Sequence, residues 1–264
     1  MRIVVLTDIH GNIHALEAVL DALEHEDFDE LVIAGDSVNV CPHSRRCWNT
    51  VSTLNCAILN GNHERYVYDY ETQAEWHSER FLPSRYTYAL FTSEEREVMR
   101  ALPLTKRFDN LLISHATPDS DEKTILKTTP EDELKIIYQN YTEAFFVRGH
   151  NHSWFTRTWQ SKTLYSLNAL GLPLDGNHKA PYAVLEQEGE YWTLQQKTVR
   201  YDVNAAIASF DDAYIAAAGP IARLHKRELE TARWQVIPFF REFGQALDSG
   251  ELTLAAAVKK YLGA

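Results

Sequence analysis

Histidine and carboxylate residues recur in this sequence just after short apolar runs. Asp8 and His10 follow residues 3–7. Asp36 follows 31–34 and a glycine, and Asn62 and His63 follow 56–59. His115 follows 111–114, and His150 and His152 follow 144–147. Each has an ordinary reading when taken alone. Asp8 could cap a helix, although Asn12 is the better cap. Asp36 could be a turn aspartate after Gly35. His63 could open a helix, and His115 could be a core histidine with a partner. Together they point elsewhere: five of the eleven histidines stand at such positions, where an unpartnered polar group costs about 1–3 kcal/mol. Coordinating a cation removes that cost. Carboxylates, imidazoles and one amide oxygen, without a thiolate, suit Mn²⁺, Fe or Zn²⁺ in five- or six-coordinate geometry. Seven donors are too many for one ion. They suit two ions sharing a carboxylate, the arrangement of phosphatases and nucleases.

Such a set converges only if the chain brings the ends of several strands together. The first sixty residues alternate strand, helix, strand, helix, strand, with helical spacing at Ile13, Leu16, Val19, Leu20 and Leu23. That pattern predicts parallel strands in an α/β layer, whose ligand crevice lies at the carboxyl ends of the strands. Residues 63–102 read as mainly helical, broken at Pro83 and Pro103. Thr129-Pro130-Glu131 reads as a helix start with a capping hydroxyl, the helix running to about Asn140. From 153 to 201, short alternating strands separated by Gly and Asn turns predict an antiparallel meander completing a second sheet. Residues 203–264 carry no strand signal. They read as a helical extension in which Leu254, Val258, Tyr261 and Leu262 share a face, packed on the core or on a second subunit in a homo-oligomer.

The chain has 264 residues and a net charge of −11, which argues against duplex nucleic acid as a partner. Bound cations would still admit a small phosphorylated substrate. No apolar run approaches membrane-spanning length. The three cysteines, Cys41, Cys47 and Cys56, are odd in number and lack the spacing of a zinc site. They fit reduced thiols in a cytoplasmic protein.

The stretches TDIHGN, AGDSV, NGNHE, SHATP and RGHNH, in that order, resemble the motif series of the calcineurin-like metallophosphoesterases. The resemblance covers roughly residues 1–200 and looks like the compact bacterial and archaeal branch. It implies a four-layer α/β/β/α sandwich with two mixed sheets, residues 1–202, followed by the helical extension. It also implies that Asp8, His10 and His152 hold one ion, that Asn62, His115 and His150 hold the other, and that Asp36 bridges them. His63 would stabilise or protonate the leaving oxygen. Two divalent ions are expected, manganese first, with iron, zinc or nickel as alternatives.

The mechanism expected is in-line attack by a hydroxide bridging the ions on a small phosphodiester or phosphomonoester. The alternative within the class is a phosphoserine/phosphothreonine protein phosphatase. A binding module that had lost catalysis would show replaced ligands or a missing His63, and all are present. Asn12 and Arg148 are lesser candidates for substrate binding; Arg148 could instead pair with a carboxylate. His43, Arg45 and Arg46 could meet the substrate or form a solvated helix start. The chain departs from the branch at Asn168-Ala169-Leu170-Gly171, where relatives carry Asn-Pro-Gly-Ser, and in the loop from Ser37 to His43.

Overall fold

The computed structural model describes residues 1–263. Strand β1 (Arg2–Leu6) is apolar on both faces: Ile3 and Val5 point to one side, Val4 and Leu6 to the other, and all four are fully buried. A strand of this kind belongs at the centre of a covered sheet. Helix α1 (Ile13–Leu23) follows, and its side chains Ile13, Leu16 and Val19 pack on Val4 and Leu6. Strands β2 (Glu30–Ile33) and β3 (Ala57–Ile58) extend the sheet in parallel, with α2 (Ser44–Val51) between them.

Next come α3 (Asn62–Tyr68), α4 (Leu82–Ala89) and α5 (Ser93–Arg100). The helical run is interrupted between Tyr68 and Leu82, and Pro83 marks the start of the next helix. It sits in the first turn of α4, where its missing N–H is no loss. Strand β4 (Thr105–Phe108), which carries little apolar signal, pairs antiparallel with β5 (Leu111–Ser114). Helix α6 (Glu131–Tyr138) starts after Pro130 without a side-chain cap, because the Thr129 hydroxyl accepts from the Leu126 N–H instead. Strand β6 (Phe145–Arg148) lies parallel to β5.

The four strands after residue 153 are not one meander. Strands β7 (Phe155–Trp159) and β8 (Lys162–Ser166) join the second sheet, β8 parallel to β6 and β7 at the edge. Strands β9 (Ala180–Glu188) and β10 (Tyr191–Val199) cross back to the first sheet, β9 antiparallel to β1. Burial explains the division. The first six residues of β9 are all buried, as a central strand requires, whereas β7 alternates. The sheet orders are β10-β9-β1-β2-β3 and β4-β5-β6-β8-β7, both mixed. Ile3, Val5, Ile113, Val147 and Leu185 fill the space between the sheets, and Leu134 and Tyr138 of α6 cover the outer face of the second. The result is the four-layer α/β/β/α sandwich.

Helices α7 (Val203–Ala208), α8 (Asp212–Ala218) and α9 (Ile221–Thr231) bury Phe210, Tyr214 and Leu229 against Val40, Leu172 and Leu174 of the core. Helices α10 (Val236–Asp248) and α11 (Leu254–Leu262) pack on α9 through Phe239, Phe243, Leu254 and Val258. Tyr261 and Leu262, partly buried, pack against the same cluster. Among the described residues no helix is long and apolar enough to cross a membrane.

Candidate metal centre

The loops after β1, β2, β5 and β6 and the start of α3 meet at one end of the sandwich. Asp8, His10, Asp36, His150 and His152 all have φ between 47° and 68°. Asp and His are among the few side chains that enter this left-handed region at modest cost. The turn lets the backbone leave each strand while the side chain points into the shared crevice.

Two donor groups result. His152 Nε2 lies 3.3 Å from Asp8 Oδ1 and 2.9 Å from His10 Nε2, and His10 Nε2 is 3.7 Å from Asp8 Oδ1. On the other side, Asn62 Oδ1 lies 3.2 Å from His115 Nε2 and 2.9 Å from His150 Nδ1. Asp36 stands between them, with Oδ2 3.3 Å from His115 Nε2 and 3.8 Å from His10 Nε2. Its Oδ1 accepts from the His63 N–H at 2.9 Å, which orients the carboxylate. The His63 ring packs edge-on to His10, its Nε2 4.0 Å from Asp36 Oδ2.

Neighbouring groups lock these side chains. The Asp8 carboxylate accepts from the Thr7 hydroxyl at 2.8 Å and the His150 N–H at 3.1 Å. His115 Nδ1 lies 2.8 Å from the Ala34 carbonyl and donates its proton there, which leaves Nε2 as the nitrogen that faces Asp36 and Asn62. Gly149 is required by close approach, since a Cβ there would lie 2.0 Å from Thr7 Oγ1 and 2.4 Å from Asp8 Oδ2. Glu64, fully buried, accepts from the backbone N–H groups of Asp36 (2.8 Å), Ser37 (2.6 Å) and Gly61 (3.0 Å), binding the β2 loop to the start of α3.

The electrostatics are those of a site short of positive charge. Burial alone would raise the Asp8 and Asp36 carboxyls, but surrounding imidazoles, His152 and His115 foremost, hold both well below the usual range. Burial pushes His63 down to about 4 and His150 to about 3, His115 adding to the latter. His115 itself, although buried, is held up to about 9 by Asp36. Burial, then Asp36, raises Glu64 to about 7 against its backbone donors. His10 Nδ1 and His152 Nδ1 are buried without partners among the described residues. A proton on each Nδ1 would leave Nε2 lone pairs of both rings facing each other and the Asp8 carboxylate. The oxygen and imidazole donors of both groups therefore fit divalent cations.

The two lesser candidates face away from this crevice. Asn12 Nδ2 donates to the Gly171 carbonyl at 2.7 Å and its Oδ1 caps α1 through the Ala15 N–H. Arg148 is fully buried, and its guanidinium donates to the carbonyls of Ala116, Lys123 and Ile125 and to Asn151 Oδ1. Asn151 also accepts from the Ile125 N–H at 3.1 Å, so the residue between the two histidines anchors the loop. Arg45 and Arg46 pair with Glu95 and Glu17 across neighbouring helices, and His43 packs against His14.

The donors open into a cavity of about 280 Å³ whose far wall comes from α9, α10 and the turn between them, including His225, Trp234 and Phe240. Trp234 stacks on His152 with centroids 5.5 Å apart. Tyr66 and Arg80 also line it. These residues carry no signal in the sequence, where His225 is a lone histidine in a helical run. Glu64 alone had one, as the last residue of NGNHE.

The family model described as calcineurin-like phosphoesterase matches residues 1–171. An uncharacterized protein of Methanocaldococcus jannaschii is 26% identical over 223 residues, covering 77% of this chain and 89% of that protein. The crystal structure of a metallophosphoesterase from Sphaerobacter thermophilus superposes with a TM-score of 0.65 at 20% identity, covering 83% of this chain and all of that one. A hypothetical protein from Pyrococcus horikoshii gives 0.67 at 19% identity, with 87% and 96% covered. These two likenesses are of fold.

Proposed function

From the premise that the chain belongs to the calcineurin-like phosphoesterase family and is a metal-dependent phosphoesterase, we propose that it hydrolyses small phosphodiesters or phosphomonoesters at two divalent ions. Asp8, His10 and His152 would hold one ion and Asn62, His115 and His150 the other, with Asp36 shared. The observation that carries this reading is the position of Asp36 Oδ2, one oxygen within 3.3 Å of His115 Nε2 and 3.8 Å of His10 Nε2. Manganese is the ion we place first; iron, zinc and nickel suit the same donors. The three free thiols fit a cytoplasmic setting.

Bound there, two divalent ions would supply a nucleophile from water near neutral pH and neutralise charge on the phosphoryl oxygens. The chain's own groups do the rest. Thr7 and the His150 N–H hold Asp8 in its rotamer, and Glu64 keeps Asp36 and Asn62 in register. His63 lies at the cavity surface beside Asp36. An entering phosphoryl group adds negative charge, which counteracts burial and favours the protonated ring. That ring then hands a proton to the departing oxygen. General acid catalysis of this kind is worth about 10²–10⁴-fold.

The test is hydrolysis of an aryl phosphodiester and an aryl phosphomonoester by chelator-stripped protein before and after adding Mn²⁺. Turnover should depend on metal and vanish in Asp36→Ala together with bound metal. His63→Ala should retain its metal and lose about 10²–10⁴-fold in kcat. Protein shown by elemental analysis to hold two ions, yet inert towards both esters with Mn²⁺, Fe²⁺, Zn²⁺ and Ni²⁺, would overturn the reading.

A further inference from the structure

Much of the wall facing the candidate metal donors comes from α9, α10 and the turn between them, beyond the family match, and its chemistry differs from theirs. It holds one polar pair. His225 Nδ1 on α9 donates to Glu228 Oε2 at 3.0 Å. Glu228 is 1% exposed, and its Oε1 accepts from the N–H groups of Gln235 (2.9 Å) and Val236 (3.0 Å). One oxygen therefore secures the turn into α10 while the other fixes the imidazole. A ring with one proton, held on Nδ1 by Glu228, presents Nε2 as an acceptor, and no hydrogen-bond partner of Nε2 occurs among the described residues. Both His225 and Glu228 border the cavity.

Around the pair the wall is aromatic and apolar: Phe81, Trp234, Ile237 and Phe240. Arg80 stands at its edge, its guanidinium over the Phe240 ring at 4.9 Å and paired with Asp248 on α10. The volume, about 280 Å³, is at the small end of the roughly 300–1,000 Å³ typical of small-molecule sites.

We propose that this wall is a leaving-group subsite for phosphoesters of a compact aromatic alcohol that carries an O–H or N–H donor. The ring seats among Trp234, Phe240 and Phe81, and its donor meets His225 Nε2. Resting on the phosphoesterase reading, this places the phosphoryl group towards His63 and makes His225 a substrate-contacting residue supplied by the C-terminal helices.

The test reads binding, without turnover, using phosphonates whose C–P bond this chemistry does not cleave. Calorimetry of the Mn²⁺-loaded protein compares methylphosphonate, phenylphosphonate and 4-hydroxyphenylphosphonate. Phenyl should bind at least tenfold more tightly than methyl, and the hydroxyl should add several-fold more. Trp234→Ala should lose the ring increment, and His225→Ala the hydroxyl increment alone. Ile237→Ala, at a half-exposed position on the cavity rim, should reduce the ring increment with the melting temperature unchanged, so a folding defect cannot mimic the result. Equal affinity for methyl and phenyl, increments untouched by these variants, or tighter binding of a phosphoserine peptide would overturn the subsite. Intact increments in a protein that hydrolyses no ester would overturn the hydrolase reading and the leaving-group role with it, leaving the wall as an aromatic binding site; lost increments in a protein that hydrolyses esters would overturn the subsite alone.

Discussion

Arg148 lies wholly inside the protein, at the end of β6, and gives its guanidinium to main-chain carbonyls of the segment from Ala116 to Ile125. Burial lowers its pKa to about 10, which still leaves it charged. From sequence alone an arginine beside a glycine and two histidines invites a phosphate-clamp reading. The contacts instead make it the tie that holds the His115 and His150 loops together. Replacing it by methionine strands several interior carbonyls at about 1–3 kcal/mol each, partly offset by relief of a buried charge. Arg148→Met should therefore cost about 2–4 kcal/mol in denaturant unfolding, with KM for an ester unchanged in the folded fraction. A phosphate clamp would show the reverse, a raised KM at full stability. Asn12 follows the same logic: the capping role that competes with substrate binding in the sequence is the one its hydrogen bonds serve.

Among the elements, the strand-to-loop turns carry the site, and their tolerance is small. Gly149→Ala would drive a methyl group into Thr7 Oγ1 and Asp8 Oδ2. Metal content should fall and turnover drop by at least about 100-fold, while circular dichroism keeps the wild-type helix and strand signal. Such turns were legible in sequence because an apolar run meeting Asp or His marks both the strand end and a side chain delivered to the crevice. The allocation of strands was less so. Residues 180–188 and 155–159 both alternate well enough for a meander, and only burial on both faces sends β9 back beside β1. β4 has too few apolar residues to announce itself, and it exists by pairing with β5. At the other end of the first sheet, Glu26 joins Lys197 of β10 to Arg2 of β1. The hydrogen bond from Lys197 chiefly, with the charges of Lys197 and Arg2, holds the Glu26 carboxyl below its usual range against burial. A depressed carboxyl stabilises above its unfolded pKa, about 4.3, and loses that contribution as pH falls through the folded value. Glu26→Gln should thus lower stability by about 0.5–1 kcal/mol at pH 7. The deficit should fade in melts at pH 3.

Over the whole molecule, the donors come from both sheets: Asp8 and Asp36 follow strands of the first, His115 and His150 strands of the second. The core donors could be read from the sequence because each sits in a short motif. The cavity's far wall could not, because His225, Glu228 and Trp234 reach it only through helix packing more than seventy residues downstream of His152. An ion held between the sheets would bind the folded chain and not the unfolded one, so its binding free energy would add to stability. At a hundredfold excess over Kd each site contributes about 2.7 kcal/mol. Chelation should lower the melting temperature by about 5–10 °C per ion, and the shift should grow with the logarithm of added Mn²⁺. Flat melting curves across that titration would show that the crevice binds no ion. The same placement has a practical side. A chain whose sheets have not closed on each other has no crevice, so metal bound there would double as a headcount of correctly assembled molecules in any preparation.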